Sequence, residues 1–179
     1  MKYGKYEIKA LKIVKQMSEE TMCFTCDLYV DGKKFAHVSN TGKGGCHKVM
    51  PYPPYKWPDV EKLEAEMEAD KFLVQSQYEK FESAVDRLIE LQEIEKQFTK
   101  LMKTKVCMIA DGDVRTTGYK DKKLPVDQSL IDRVKKANPS VTILNELSIE
   151  DAVIQVAKLN DAQLEREFGQ FTPASPKGM

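Results

Sequence analysis

The chain has 179 residues, 41% of them apolar and 31% charged, and its 28 basic side chains balance 28 acidic ones. That composition folds: it is far from the low hydrophobicity and high net charge of disordered chains, and the length suits one core with a small satellite. Apolar runs fall short of the roughly 18 residues that cross a bilayer, and lysines interrupt the opening MKYGKYEIKALKIVKQ where a signal peptide would be apolar.

A cytoplasmic protein is therefore expected, with Cys23, Cys26, Cys46 and Cys107 as reduced thiols and no disulfide framework. The balanced total hides a segregation of charge. Residues 1–58 hold 10 Lys and Arg against 5 Asp and Glu, residues 59–99 hold 5 against 12, and residues 100–124 hold 7 against 3. Such polarity lets lobes complement one another or a partner, whereas broad nucleic-acid binding asks for an overall basic excess.

From Tyr6 to Lys15 the alternation predicts a strand with a bulge near its middle. In residues 21–30, TMCFTCDLYV, the residues Met22, Phe24, Cys26, Leu28 and Val30 share one face, which predicts a second strand. Asp31-Gly32 suits a tight hairpin turn, and KKFAHV returns as the third strand of an antiparallel meander. Asn40, Gly42, Gly44 and Gly45 then read as a turn-rich loop, and prolines at 51, 53, 54 and 58 argue against regular structure up to Trp57.

Residues 59–103 are helical by composition and spacing, but unbroken they would run about 65 Å at 1.5 Å per residue. A break near Ala69 to Gln77 is predicted, giving a helical hairpin or a short helix before a long one. KVCMIA (105–110) predicts a buried strand, Asp111-Gly112-Asp113 a turn, and VRTTGYK its partner. A helix from Pro125 to about Ala137, a short strand at Val141–Leu144 and a helix capped at Ser148 follow. The fold class expected is α+β: a β-rich lobe at 1–50, a Pro/aromatic linker at 51–58, a helical segment at 59–104, a β/α lobe at 105–160 and a tail at 161–179, of which FGQFTPASPKGM (168–179) is expected to be mobile, in one domain overall.

Several residue groups are candidates for chemistry. Cys23, Cys26, Cys46 and His47 could supply four zinc ligands, but positions 23 and 26 lie in a strand, where an odd separation sends them to opposite faces. Buried cysteines acting as small hydrophobes are the favoured reading, with no metal. Asn40, Lys43, Gly44, Gly45 and His47 could hold a phosphate or nucleotide, because glycine amides converge on anions, although the lysine is not followed by Ser or Thr at a helix start. A Cys46 nucleophile would need His37 or His47 as base, and no carboxylate stands out to orient either ring. No catalytic residue and no cofactor is therefore assigned.

Tyr52, Tyr55 and Trp57 are candidate anchors of a protein interface, with packing on the protein itself as the alternative. Nucleic-acid binding through Lys103, Lys105, Arg115, Lys120, Lys122 and Lys123 is a further reading, ranked below the protein and nucleotide readings because the net charge is zero. The long helix leaves pairing in a homodimer open.

The stretch LYVDGKKFAHVSNTGKGGC (28–46), with a vaguer likeness at LMKTKVCMIADGDVRTTGYK (101–120), resembles small uncharacterised proteins encoded by bacteriophages and related mobile elements. The resemblance carries no catalytic motif. It implies a setting in which short, cofactor-free proteins bind host components, defence nucleases among them, so a non-enzymatic interaction protein with a host-protein partner is the leading expectation.

Overall fold

A computed structural model describes residues 2–120 and 124–168. The chain divides into two compact units, residues 1–93 and 94–179. The fold is α+β, and no helix among the described residues is long and apolar enough to cross a membrane.

The first unit is built on a five-stranded antiparallel sheet in chain order: β1 (Lys2–Tyr3), β2 (Tyr6–Ile13), β3 (Cys23–Val30), β4 (Lys33–Thr41) and β5 (Lys48–Pro51). The expected bulge lies between Lys9 and Lys12, with Ala10 at φ 52° as the extra residue. Asp31 and Gly32 turn the β3–β4 hairpin with φ of 49° and 74°, the pair of positive angles that a type I′ turn requires.

Alternation along the strands divides the sheet into two faces. Ile8, Phe24, Cys26, Leu28, Ala36 and Val38 form the buried face with Tyr6. Onto it pack Val60, Leu63 and Met67 of α1 (Trp57–Glu68), and Phe81, Val85, Leu88 and Ile89 of α2 (Lys80–Leu101). Each such apolar side chain contributes about 1.5–3 kcal/mol by leaving water. On the outer face, register sets Lys9 beside Asp27, Asp27 beside His37 and His37 beside Met50.

The helical stretch breaks where the composition predicts. Asp70 ends α1's run by accepting the amides of Phe72 and Leu73 at 3.0 and 3.2 Å, and its other oxygen takes the Tyr3 hydroxyl at 2.8 Å. Ser83 accepts the amides of Gln75 and Ser76, which holds the turn before α2.

Several expectations need correction. The sheet has five strands where the alternation predicts about three, because β1 is too short to show a period and β5 ends in Pro51 with Pro53 and Pro54 just beyond. Pro51 is tolerated since β5 lies at the sheet edge, and Pro58 since it sits in the first turn of α1, where no helical amide is missed. β4 also runs through Asn40 to Thr41, beyond the KKFAHV strand that the sequence predicts.

The second unit holds the end of α2 and a three-stranded sheet of order β7-β6-β8, from β6 (Val106–Ala110), β7 (Asp113–Thr117) and β8 (Thr142–Ile143). Asp111 and Gly112 make the expected turn, with φ of 54° and 79°. α3 (Gln128–Ala137) begins three residues after Pro125, at the Asp127 cap, whose carboxylate accepts the Leu130 amide at 2.8 Å. Leu130, Ile131 and Val134 of α3 pack on Val106, Met108 and Ile143. Ser148 caps α4 (Ile149–Phe168) through the Asp151 amide at 3.0 Å. Residues 161–168, assigned to a tail, are thus the last turns of α4; the expectation of mobility for 169–179 lies outside the described residues.

Candidate functional site

The most site-like cluster gathers around Asn40 at the end of β4. Opposite Phe24 in the register, its side chain falls on the buried face and is 6% exposed. A buried amide needs all its partners, and Asn40 has them: its oxygen accepts the Thr21 hydroxyl and the Gly42 amide, both at 2.8 Å, and its nitrogen donates to the Gly45 carbonyl at 3.1 Å. Those backbone groups fix which end of the amide is oxygen and which nitrogen. The contact at 3.2 Å between Asn40 Nδ2 and His47 Nδ1 is therefore a donation to the ring, and the His47 proton resides on Nε2, where it is donated to Asp86 of α2 at 3.0 Å.

His47 is thus held at both nitrogens. Its side chain is 8% exposed, and its ring meets Phe24 edge-on with centroids 4.9 Å apart. The glycine loop is pinned by the same network. The Gly42 carbonyl accepts the amides of Glu19, Glu20 and Thr21, and the Gly44 amide reaches the Thr21 hydroxyl at 3.3 Å. Gly42 is irreplaceable by geometry, since at φ 84° a Cβ would lie 2.1 Å from the Met17 carbonyl oxygen.

A cavity of about 350 Å³ opens beside this cluster, with Gly45, Cys46 and His47 on one side and Glu79, Glu82 and Asp86 on the other. Of the residues expected to bind a phosphate, Asn40, Gly45 and His47 line it; Lys43 is exposed and does not. Three carboxylates in the wall repel an entering anion, and the amides of Gly42 and Gly44 already have acceptors. The cavity's chemistry suits a donor-rich or cationic group better than a phosphate.

The four potential zinc ligands do not converge. Cys26 is 1% exposed within the main core, whereas Cys23 lies on the other face, where its Cβ would meet a side chain placed on Gly42 at 2.8 Å. Burial, helped by Asp27 and Asp86, pushes the Cys26 thiol up to about 12, which disfavours the thiolate a metal needs. Cys46 is exposed beside a histidine with no free nitrogen, and among the described residues no group of three or more His, Cys, Asp or Glu could hold a metal ion.

Carboxylates do orient both imidazoles, which the sequence did not reveal. Asp86 meets His47, and Asp27 meets His37 Nδ1 at 3.1 Å. These partners are 39 and 10 positions apart, so only sheet register and the packing of α2 bring them together. His37 sits on the outer face, across the sheet from Asn40.

The aromatic trio separates. The Tyr52 hydroxyl donates to Asp27 at 2.9 Å with the Lys34 ammonium 4.1 Å from its ring centroid, and Tyr55 packs on Phe35 at 4.7 Å. Trp57 opens α1 and is 52% exposed. Of the basic set at 100–124, Arg115 pairs with Asp111 at 3.1 Å, and Lys122 and Lys123 lie outside the described residues.

Comparison with protein families, with curated proteins and with solved structures gives no match for this chain. The class that the fold and the cluster define is an α+β protein with an inward-facing polar clamp.

Proposed function

We propose that the chain is a non-catalytic binding protein of the phage type, that its partner is a host protein, and that the Trp57 indole anchors the contact. The observation that carries this reading is the closure of the His47 cluster on itself: both ring nitrogens are spent on Asn40 and Asp86, so the adjacent imidazole has no free nitrogen to offer Cys46. Trp57 supports the choice of anchor, because a half-exposed indole is a residue type that dominates interface energetics. Beside α1, a shallow hollow of about 240 Å³ has Phe35, Tyr55 and Leu63 in its floor and Lys33, Asp59 and Glu66 at its rim, an apolar centre with a charged edge.

Capture from a bacterial lysate, with bound proteins identified by mass spectrometry, tests the reading when wild type is run beside Trp57→Ala. The expected result is a partner retained by wild type and lost from the variant, with the melting temperature unchanged. A variant that keeps its partners, or that melts many degrees lower, refutes Trp57 as the anchor. A host defence nuclease among the captured proteins would match the narrower expectation from the resemblance.

A further inference from the structure

We propose that the open face of the β1–β5 sheet binds single-stranded nucleic acid, with lysines tracking the phosphates and Tyr29 and Tyr52 stacking the bases. The inference stands apart from the Trp57 reading and does not depend on it.

The first unit is electrically two-sided. The helices that cover its inner face turn Asp59, Glu61, Glu66, Asp86 and Glu90 toward solvent or its edge. Register puts five lysines on the outer face, Lys2, Lys9, Lys12, Lys34 and Lys48, against two carboxylates, Glu7 and Asp27. The charge segregation along the chain thus becomes a segregation between faces, and a zero net charge coexists with a local basic excess on the outer one.

Both carboxylates on that face are already engaged. Glu7 pairs with Lys9 at 3.1 Å, and Asp27 takes Lys34 at 3.0 Å along with His37 and Tyr52. One row across four strands carries no acid at all: Lys12 beside Thr25, Thr25 beside Ser39 and Ser39 beside Lys48. Two ammonium groups flanking two hydroxyls form a stripe of donors suited to phosphate oxygens.

Rings lie on the same face. Tyr29 carries the Lys9 ammonium 4.5 Å from its centroid, and Tyr52 carries that of Lys34 at 4.1 Å. An arriving base takes the place of each ammonium over its ring, and the ammonium turns to the neighbouring phosphate. Successive rows on one face repeat every 6.6–6.8 Å or so along the strands, and the five strands span roughly 20 Å, room for a short run of nucleotides. Stacking on an open sheet needs unpaired bases, which a duplex does not offer, and an acidic peptide has nothing to stack.

Fluorescence anisotropy with a labelled 15-nucleotide oligothymidylate tests this directly. Binding is expected at 50 mM salt and about 100-fold weaker at 200 mM, from a slope of about −0.7 per lysine contact over five lysines. Lys12→Gln with Lys48→Gln should flatten that slope by about 1.4. Tyr29→Leu should weaken binding about tenfold and leave the slope alone. Lys62→Gln with Lys80→Gln, the same charge change on the helical side, should alter neither. The proposal is overturned by absence of binding at 50 mM salt, by equal effects from the two lysine pairs, by duplex binding as tight as single strand, or by polyglutamate competing as well as the oligonucleotide does.

Discussion

Replacing Asn40 with alanine removes the centre of the clamp, and its cost can be worked from the contacts. Four hydrogen bonds are lost: those from Thr21 and the Gly42 amide to its oxygen, and those from its nitrogen to Gly45 and His47. The Gly42 amide contact is fully buried, so leaving that group unpaired costs about 2 kcal/mol, while the other three partners lie nearer water and lose about 0.5 kcal/mol each. The expected destabilisation is roughly 3–4 kcal/mol, a large part of the total stability of a domain this size. Urea unfolding followed by the fluorescence of Trp57, the only tryptophan, reports on the first unit, and the midpoint should fall by about 1.5–2 M at an unchanged slope. Thr21→Val, which removes one bond to Asn40 and one from Gly44, should cost about 1 kcal/mol. A loss under about 0.5 kcal/mol for Asn40→Ala, or equal losses for both variants, would refute the assignment of Asn40 as the hub.

The glycine loop gives a paired test. Gly42→Ala forces a Cβ against the Met17 carbonyl and should cost about 3 kcal/mol or more, whereas Gly45→Ala, at φ 86° with open space around it, should cost only the left-handed penalty of about 1 kcal/mol. Thermal melting separates them, and equal losses would contradict the packing described. Asp27 supplies a pH dependence. Burial raises its carboxyl, but hydrogen bonds from His37, Lys34 and Tyr52 outweigh burial and hold it below the usual range. A depressed carboxylate stabilises the fold above its unfolded value near 3.9 and loses that contribution as pH falls through the lower folded value. Asp27→Asn should therefore destabilise at pH 7, and its deficit against wild type should shrink below about pH 4; a deficit constant with pH would count against the pairing.

Much of the architecture was legible because local signals agreed. The alternation of Phe24, Cys26 and Leu28, the Asp31-Gly32 turn and the two helices separated at Ala69–Gln77 all follow from period, turn chemistry and length. Asn40 reads as a loop residue for a physical reason: Ser39-Asn40-Thr41-Gly42 is a turn sequence by composition, and only its partners at Thr21, Gly45 and His47 make it a strand residue with a buried side chain. The acidic wall of the cavity was equally hidden, since Glu79, Glu82 and Asp86 look like one solvated helix face until α2 is packed against the loop. Charge segregation was visible along the chain, but which face the lysines share depends on the register of β2 to β5 and on the bulge after Lys9.

His47 is a structural tie with no nitrogen left for chemistry. Long-range proton–nitrogen correlation of its imidazole tests this most directly. The expected spectrum at neutral pH shows the proton on Nε2 and an unprotonated Nδ1, and Asp86→Ala loosens that preference. A proton residing on Nδ1, or rapid exchange between the two nitrogens in the native protein, would contradict the clamp and reopen Cys46 and His47 as a reactive pair.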